Sequence, residues 1–452
     1  MIGVLLGCLL SADLCLGQEG EKRVLSLAEA EEIALRNNPS IEAANRDLAL
    51  SRAKRSQASH ARFLPRLNLT NVWGPIPRQR GVFTETGVLT SPDTTTGLSD
   101  LRYFTEIDLE LTQPLWTFGK IGGLIDAAGF RVDAAEASVA KERNDVRLKV
   151  RKAYWGLVLG YELLQVVEDV LDEAREARTK LEERFDEGSE QVTQNDLFKF
   201  DIFTYEINKR HREALDKVEL AKAALRAAVG LDDETDLDVE THVLEPLDVT
   251  LDSLKTYTDM ALSNRPEISR LEAGIGALSS LVEVEKSDFL PQLFVGAQVK
   301  YNRAPSRFDP RNPFWSNRTN FFRPGLVVGF NWNLNFVQTR DEVRVAQLEL
   351  ARMSGRQRPL QSGIRLNVKK AYLETRQARA NMEESRTALQ ASENWLRAEL
   401  QTFDLGIGEV KDVIDAFRAN SSMRAEHLRN IFEYNTSLVE LSKAVGRDLY
   451  AN

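Results

Sequence analysis

The chain has 452 residues, 28 % of them charged, 42 % hydrophobic and 8 % aromatic; this length exceeds one ordinary core, and this polarity excludes a bundle of membrane-spanning helices. A formal net charge of -9 argues against wholesale nucleic-acid binding. The four histidines, His60, His211, His242 and His427, do not cluster, so a histidine-built metal or acid–base site has little to draw on.

The first segment, residues 1–17, is apolar apart from Ser11 and Asp13. It is too short to span a bilayer and is expected to be a signal peptide cleaved after Gly17. Cys8 lies in a lipobox-like Leu5-Leu6-Gly7-Cys8, so lipidation there is the alternative, and the true start codon is open because no positive n-region precedes it. Both cysteines, Cys8 and Cys15, fall in this segment. No later segment has 18 consecutive apolar residues, so entry into a membrane would have to be by strands.

Next come a short helix ending at Asn38-Pro39 and a helix of roughly 20 residues up to Phe63-Leu64-Pro65. Two strands follow, at about 63–73 and 104–118, joined by a Pro/Gly/Thr/Asp-rich loop. A very long helix is predicted from about Gly119 to Phe185, then a glycine turn, then a helix closing at Gly230. Residues 231–262 form an acidic connector carrying Asp232, Asp233, Glu234, Asp236, Asp238 and Glu240. The order then repeats: strands at about 289–302 and 323–336, a long helix from about Thr339 to Phe403, a turn, and a helix closing at Gly446 before the tail 447–452.

The repetition is a true duplication. Val150-Arg151-Lys152-Ala153-Tyr154 returns as Val368-Lys369-Lys370-Ala371-Tyr372, and Phe185-Asp186-Glu187-Gly188 as Phe403-Asp404-Leu405-Gly406. Upstream, Phe63-Leu64-Pro65 returns as Phe289-Leu290-Pro291, and downstream Ala228-Val229-Gly230 as Ala444-Val445-Gly446. The repeats are therefore 18–230 and 263–446, and the fold class is α+β, mainly α.

The strands alternate. Ile107, Leu109 and Leu111 oppose Glu106, Asp108 and Glu110, and Leu293, Val295, Ala297, Val299 and Tyr301 form a second apolar face. Phe330 to Phe336 alternates with three asparagines, while Leu67 to Trp73 is weaker. Such faces bracketed by Trp73, Trp116, Tyr301, Trp332 and Phe336 suit a transmembrane barrel; a soluble antiparallel sandwich is the alternative. Four strands cannot close around a polar lumen, and open edges are not tolerated in lipid. Two copies would give an eight-stranded barrel that side chains nearly fill, and three give twelve strands with an aqueous lumen. The long helices, of about 65 residues or about 100 Å, exceed any globular core. Their stripe of Val150, Ala153, Tyr154, Leu157, Leu164 and Leu171 reads as a coiled-coil seam.

This order resembles the TolC-type outer-membrane efflux family over about residues 25–446. The resemblance is carried by the two Phe-Leu-Pro strand entries, the two Val-Arg/Lys-Lys-Ala-Tyr helices and the segment Leu405 to Ala416. It implies a homotrimer with a 12-stranded transmembrane β-barrel in the outer membrane, continuing into a periplasmic α-helical barrel. It implies a passive exit duct, not an enzyme, with no catalytic residues, no cofactor and no nucleic-acid partner. The implied partners are outer-membrane lipid, a periplasmic adaptor protein and an inner-membrane transporter of the RND or ABC class. Two alternatives stand beside efflux of small molecules: the duct of a type I protein secretion system, and a periplasmic coiled-coil scaffold without a pore.

The resemblance also places sites. Two aspartates three residues apart ring the periplasmic constriction in the family, and Asp412 and Asp415 occupy those positions. Spacing i, i+3 puts both on one helix face, where rings of three would favour cations; without the family pattern they read as a first-turn acid and its solvated neighbour. The hairpin tips expected to dock the adaptor are Gly188, Leu405, Gly406 and Ile407. Some members carry a latching arginine two residues after the tip glycine, where this chain has Gly408, and Gln194 stands in the first repeat where the second has Asp412. The acidic connector corresponds to an equatorial belt in the family, a solvated linker being the other reading.

Overall fold

The computed structural model describes residues 23–80, 94–95, 100–188, 192–307, 309, 314 and 316–450. The signal segment with Cys8 and Cys15, parts of both strand-connecting loops and residues 189–191 of the first tip lie outside the described residues. The fold is α+β and mainly helical. The first repeat contains β1 (Arg23–Leu25), α1 (Leu27–Asn37), α2 (Pro39–Phe63), β2 (Arg66–Pro77), the two-residue β3 (Gln79–Arg80) and β4 (Thr94–Thr95), β5 (Leu101–Trp116), α3 (Lys120–Asp186) and α4 (Gln194–Val229). Then come β6 (Leu237–Val239), α5 (Leu254–Asn264), α6 (Pro266–Ser287), β7 (Gln292–Arg303), β8 (Phe321–Asn331), α7 (Phe336–Ser354), α8 (Gln357–Asp404) and α9 (Val410–Val445).

The chain divides into two compact units, and each repeat contributes to both. One gathers the chain up to Arg46, Ala137–Ile268 and everything from Arg358; the other holds Asp47–Glu136 and Ser269–Gln357.

The first unit is helical and buries its apolar residues. Val150, Tyr154, Leu157 and Val158 of α3 pack with Leu25, with Ala30 and Ala34 of α1, and with Leu225 and Val229 of α4. Full burial of a side chain such as Leu157 stabilises by about 1.5–3 kcal/mol. A second cluster joins Leu171 and Leu181 of α3, Phe200 and Phe203 of α4, Phe403 of α8, and Val413 and Phe417 of α9. Helices α8 and α9 meet along a seven-residue spacing. Ser392 accepts a hydrogen bond from Asn420 (3.2 Å), Ser385 bonds His427 (2.9 Å), and Ala378 and Ala371 cluster with Tyr434 and Leu441 respectively.

The second unit is a four-stranded antiparallel sheet in the order β2-β5-β7-β8, with α2, α6, α7 and the start of α3 running from its strands. The register places Leu69, Leu109, Val299 and Pro324 in one row, and Leu67, Leu111, Ala297 and Leu326 in the next. Proline cannot donate to a ladder, and Pro75, Pro77 and Pro324 sit in the edge strands β2 and β8, while Pro114 of the inner β5 falls at a register shift.

Three features differ from the sequence reading. The second long helix is two helices, α7 and α8, broken at Gly355-Arg356. Pro359 explains the break, since it has no N–H for the carbonyl of Gly355 and its ring crowds that carbonyl. The fourth strand ends at Asn331, so Trp332, Leu334 and Phe336 are not strand positions. Its partner β7 begins at Gln292 opposite Asn331, Pro291 offers no donor beyond that point, and Asn333 turns the chain by accepting from the Asn335 N–H at 3.0 Å. The connector is not a plain acidic linker: β6 within it is fully buried and pairs in parallel with β1, and α5 begins inside it at Leu254.

Candidate functional site

The sheet has two chemically opposite faces. One carries Leu67, Leu69 and Trp73 of β2, Ile107, Leu109 and Leu111 of β5, alternate residues Leu293 to Tyr301 of β7, and Phe322, Leu326, Val328 and Phe330 of β8. A soluble sheet would cover this face, yet Leu69 is 66 % and Leu326 76 % exposed. The other face carries the charged and amide residues, Asn68, Thr70, Glu106, Asp108, Glu110, Gln298, Lys300, Asn302 and Arg323, with Val72, Phe104, Phe294 and Val327 among them. There Gln298 donates to Asp108 at 3.1 Å, Lys300 pairs with Asp108 at 3.3 Å, and Asn302 donates to Glu106 at 3.3 Å. Polar groups are thus bonded across strands on one face, while on the apolar face large side chains such as Leu69, Leu326 and Val328 stay exposed among the described residues. Among the described residues, the outer edges of β2 and β8 have no partner strand.

The helical unit carries the two hairpin tips. Gly188 and Gly406 have φ of 77° and 78°, a left-handed conformation that reverses the chain and that side chains with a Cβ resist. At the second tip the N–H groups of Gly406, Ile407 and Gly408 donate to the carbonyls of Phe403 and Thr402, closing the end of α8. Leu405 and Ile407 are 76 % and 72 % exposed there. Arg184 of the first repeat donates to the carbonyls of Phe403 and Asp404 (2.5 and 2.9 Å) and lies over the Phe403 ring. A cation at the C-terminal carbonyls of α8 complements the helix dipole and ties one tip to the other.

Asp412 and Asp415 lie in the first two turns of α9, both half-buried, beside the buried Val413, Ile414, Ala416 and Phe417. Asp415 stands 3.7 Å from Arg418, which also pairs with Glu206 of α4 at 3.0 Å and sits over the Phe203 ring. Gly408 has no room for a side chain: a Cβ there would stand 2.8 Å from the Phe403 backbone nitrogen. An arginine latch at this position is therefore sterically barred by the tight tip. Among the described residues, no group of three or more His, Cys, Asp or Glu stands together as a metal cage.

Sequence reasoning missed Arg184, and it missed two polar centres. In the connector, buried Asp238 accepts from the Tyr161 hydroxyl (2.7 Å) and from the Val239 N–H (2.9 Å), and His242 stacks on Tyr161 at 4.0 Å. Burial, followed by the Asp238 hydrogen bond, pushes the Tyr161 hydroxyl up. At the end of the chain, buried Arg151 pairs with Glu31 and with Asp448 (2.6 Å), donates to the Tyr450 hydroxyl and lies over that ring. Burial opposes its charge, but the two carboxylates outweigh burial and raise its pKa. Arg151 stood within the repeated Val-Arg/Lys-Lys-Ala-Tyr motif, yet its partners are about 120 and 300 residues away in sequence, which no local pattern can show.

The model of the outer membrane efflux protein family matches residues 32–231 and 258–447. The alkaline protease secretion protein AprF of Pseudomonas aeruginosa is 25 % identical over 297 residues, which cover 62 % of this chain and 56 % of that protein. Among solved structures, CusC aligns with a TM-score of 0.73 at 15 % identity over 94 % of each chain. The CmeC outer membrane channel of Campylobacter jejuni aligns with a TM-score of 0.72 at 16 % identity, over 97 % of this chain and 92 % of that one. The outer membrane protein VceC of Vibrio cholerae aligns with a TM-score of 0.71 at 17 % identity, over 94 % and 96 %.

Proposed function

The chain belongs to the outer membrane efflux protein family, whose members are channels of the outer membrane extending into the periplasm and not enzymes, and from that premise we propose that three copies close their sheets into a 12-stranded barrel around a common lumen. The two-faced sheet carries this reading. Lipid covers the face of Leu69 and Leu326, water fills the face of Asp108 and Lys300, and pairing between copies removes both open edges. The helical units of the same copies form the periplasmic tunnel of a passive exit duct.

Asp412 and Asp415 form two acidic rings at the periplasmic constriction, supported by their half-exposed positions at the start of α9 beside the tip. The tips at Gly188 and at Leu405, Gly406 and Ile407 dock a periplasmic adaptor, supported by the exposure of Leu405 and Ile407. The adaptor connects the duct to an inner-membrane transporter, as family members do in efflux or secretion. In planar bilayers, replacing Asp412 and Asp415 together with alanine raises conductance and weakens block by multivalent cations. Unchanged block removes both residues from the gate.

Protein secretion is a second reading, favoured by the likeness to AprF, itself a secretion protein. Neighbouring genes separate the two: an ABC transporter beside a secreted substrate supports secretion, and a proton-driven pump with its adaptor supports efflux of small molecules.

A further inference from the structure

Helices α3, α4 and α9 enclose a cleft of about 480 Å³ within the helical unit. Small-molecule sites commonly run from about 300 to 1,000 Å³. Two contacts hold the helices together beside the cleft. On the connector side, Gly160 lets α3 close on α4, where a Cβ would stand 3.4 Å from Val218. On the tip side, the Phe203 ring of α4 stacks on Phe417 of α9 at 5.9 Å. Alongside, α9 presents the small Ser421 and Ala425 to the cleft, which leaves it open. Its floor is apolar. Val166 and Val170 of α3 and Phe203 and Ile207 of α4 line it, and each is at most 5 % exposed.

The mouth is basic. Four cations line it, Arg210 and Lys217 of α4 and Arg418 and Arg429 of α9, against two acids, Glu206 and Glu213. This excess stands in a chain whose net charge is -9. Arg418 and Glu206 neutralise each other at 3.0 Å, Glu213 stands 3.8 Å from Lys209, and Arg429 stands 3.6 Å from Glu426. Arg210 and Lys217 are exposed and have no ion-pair or hydrogen-bond partner among the described residues. They are seven residues apart, two helical turns, and so share one face of α4.

An apolar floor below two free cations selects one chemistry. A small inorganic anion would leave the floor wetted, and a plain hydrocarbon would leave the cations without partners. A cationic amphiphile would meet like charge at the mouth. We propose that this cleft binds a small anionic amphiphile, an aromatic or short aliphatic body carrying one carboxylate or sulfonate. The body lies over Val166 and Ile207, and the anion accepts charge-assisted hydrogen bonds from Arg210 and Lys217. The site lies wholly within the helical unit of one chain and requires no second copy.

The full chain, purified in a non-ionic detergent, is titrated calorimetrically with 2-naphthalenesulfonate and with 2-naphthylmethylammonium, against micelle blanks. The two probes carry nearly the same ring body and opposite charges. One saturable site per chain is expected for the sulfonate, with the ammonium weaker by about tenfold or more. Arg210→Glu combined with Lys217→Glu, both at exposed positions, lowers the sulfonate affinity by about tenfold or more. Ala214→Phe and Ser421→Phe fill the cleft from opposite walls, and whichever keeps the wild-type denaturation midpoint no longer binds the sulfonate. Equal affinities for the two probes, or an undiminished sulfonate affinity after charge reversal, overturn the anionic assignment. Absence of saturable binding to the wild type, as when another copy of the chain fills the cleft, overturns the site. Binding that survives in a folded, cleft-filled variant does the same.

Discussion

In the helical unit Leu157, Leu181, Phe200 and Leu438 are fully buried, whereas in the sheet unit Leu69, Leu326 and Val328 stand 66 %, 76 % and 74 % exposed. The hydrophobic clusters of buried side chains found among the described residues all belong to the helical unit. The same residue types therefore serve two solvents. In the helical unit water drives them together within one chain. In the sheet unit they stay exposed on the chain itself, and in the function proposed above lipid and further copies of the chain cover them.

Five substitutions break or sharpen this contrast. The largest effect is expected for Arg151→Ala, which strands Glu31 and Asp448 in a buried site and costs about 3–5 kcal/mol. It lowers the denaturation midpoint of the helical unit. Retention of the wild-type midpoint would show that the cluster is not holding the chain end. Next, Leu69→Arg costs about 2–4 kcal/mol in the bilayer, whereas Asn68→Arg one residue earlier points to the polar face and is tolerated. Outer-membrane yield of heat-resistant oligomer reads the difference, and equal yields would remove the assignment of faces.

Gly408→Ala forces a Cβ against the Phe403 backbone and costs about 1–3 kcal/mol through strain at the tip. Amide exchange should quicken at 403–410 first; unchanged exchange would mean that the tip has room. The smallest effect belongs to Asp145, mostly buried between Lys141 (2.7 Å) and Lys443 (2.6 Å). Burial alone would raise its pKa, but the two lysines outweigh burial and hold the carboxyl below its ordinary range. A depressed carboxylate stabilises above its unfolded pKa of about 3.9 and loses that contribution as pH falls through the lower folded value. Asp145→Asn should therefore lower the denaturation midpoint by an amount that is constant at neutral pH and shrinks below about pH 4. A deficit that persists undiminished in acid would contradict the ion-pair origin.

Much of this was legible in the sequence, because alternation and duplication are local signals that repeat. Ile107 to Leu111 and Leu293 to Tyr301 declare their two faces by period alone, and the tip glycines by their place between long helices. The end of β8 was misread because Asn331, Asn333 and Asn335 keep the period of a strand after its hydrogen-bond partner has run out. Pro359 is visible in the sequence, yet the strong helical pattern on both sides hid the break it causes. The three-residue β1 and β6 are too short for any period, and their parallel pairing joins segments more than 200 residues apart. Asp238 looked like one acid of a solvated run, and only tertiary structure shows that it is the buried one.

The central claim is that the uncovered face of the sheet is completed by lipid and by two more copies of the chain. The most direct measurement is the native mass of the detergent-purified protein, taken with its conductance in a planar bilayer. Three chains per particle and an ion-conducting pore are predicted. A monomer that stays soluble without detergent and passes no ions would contradict the account.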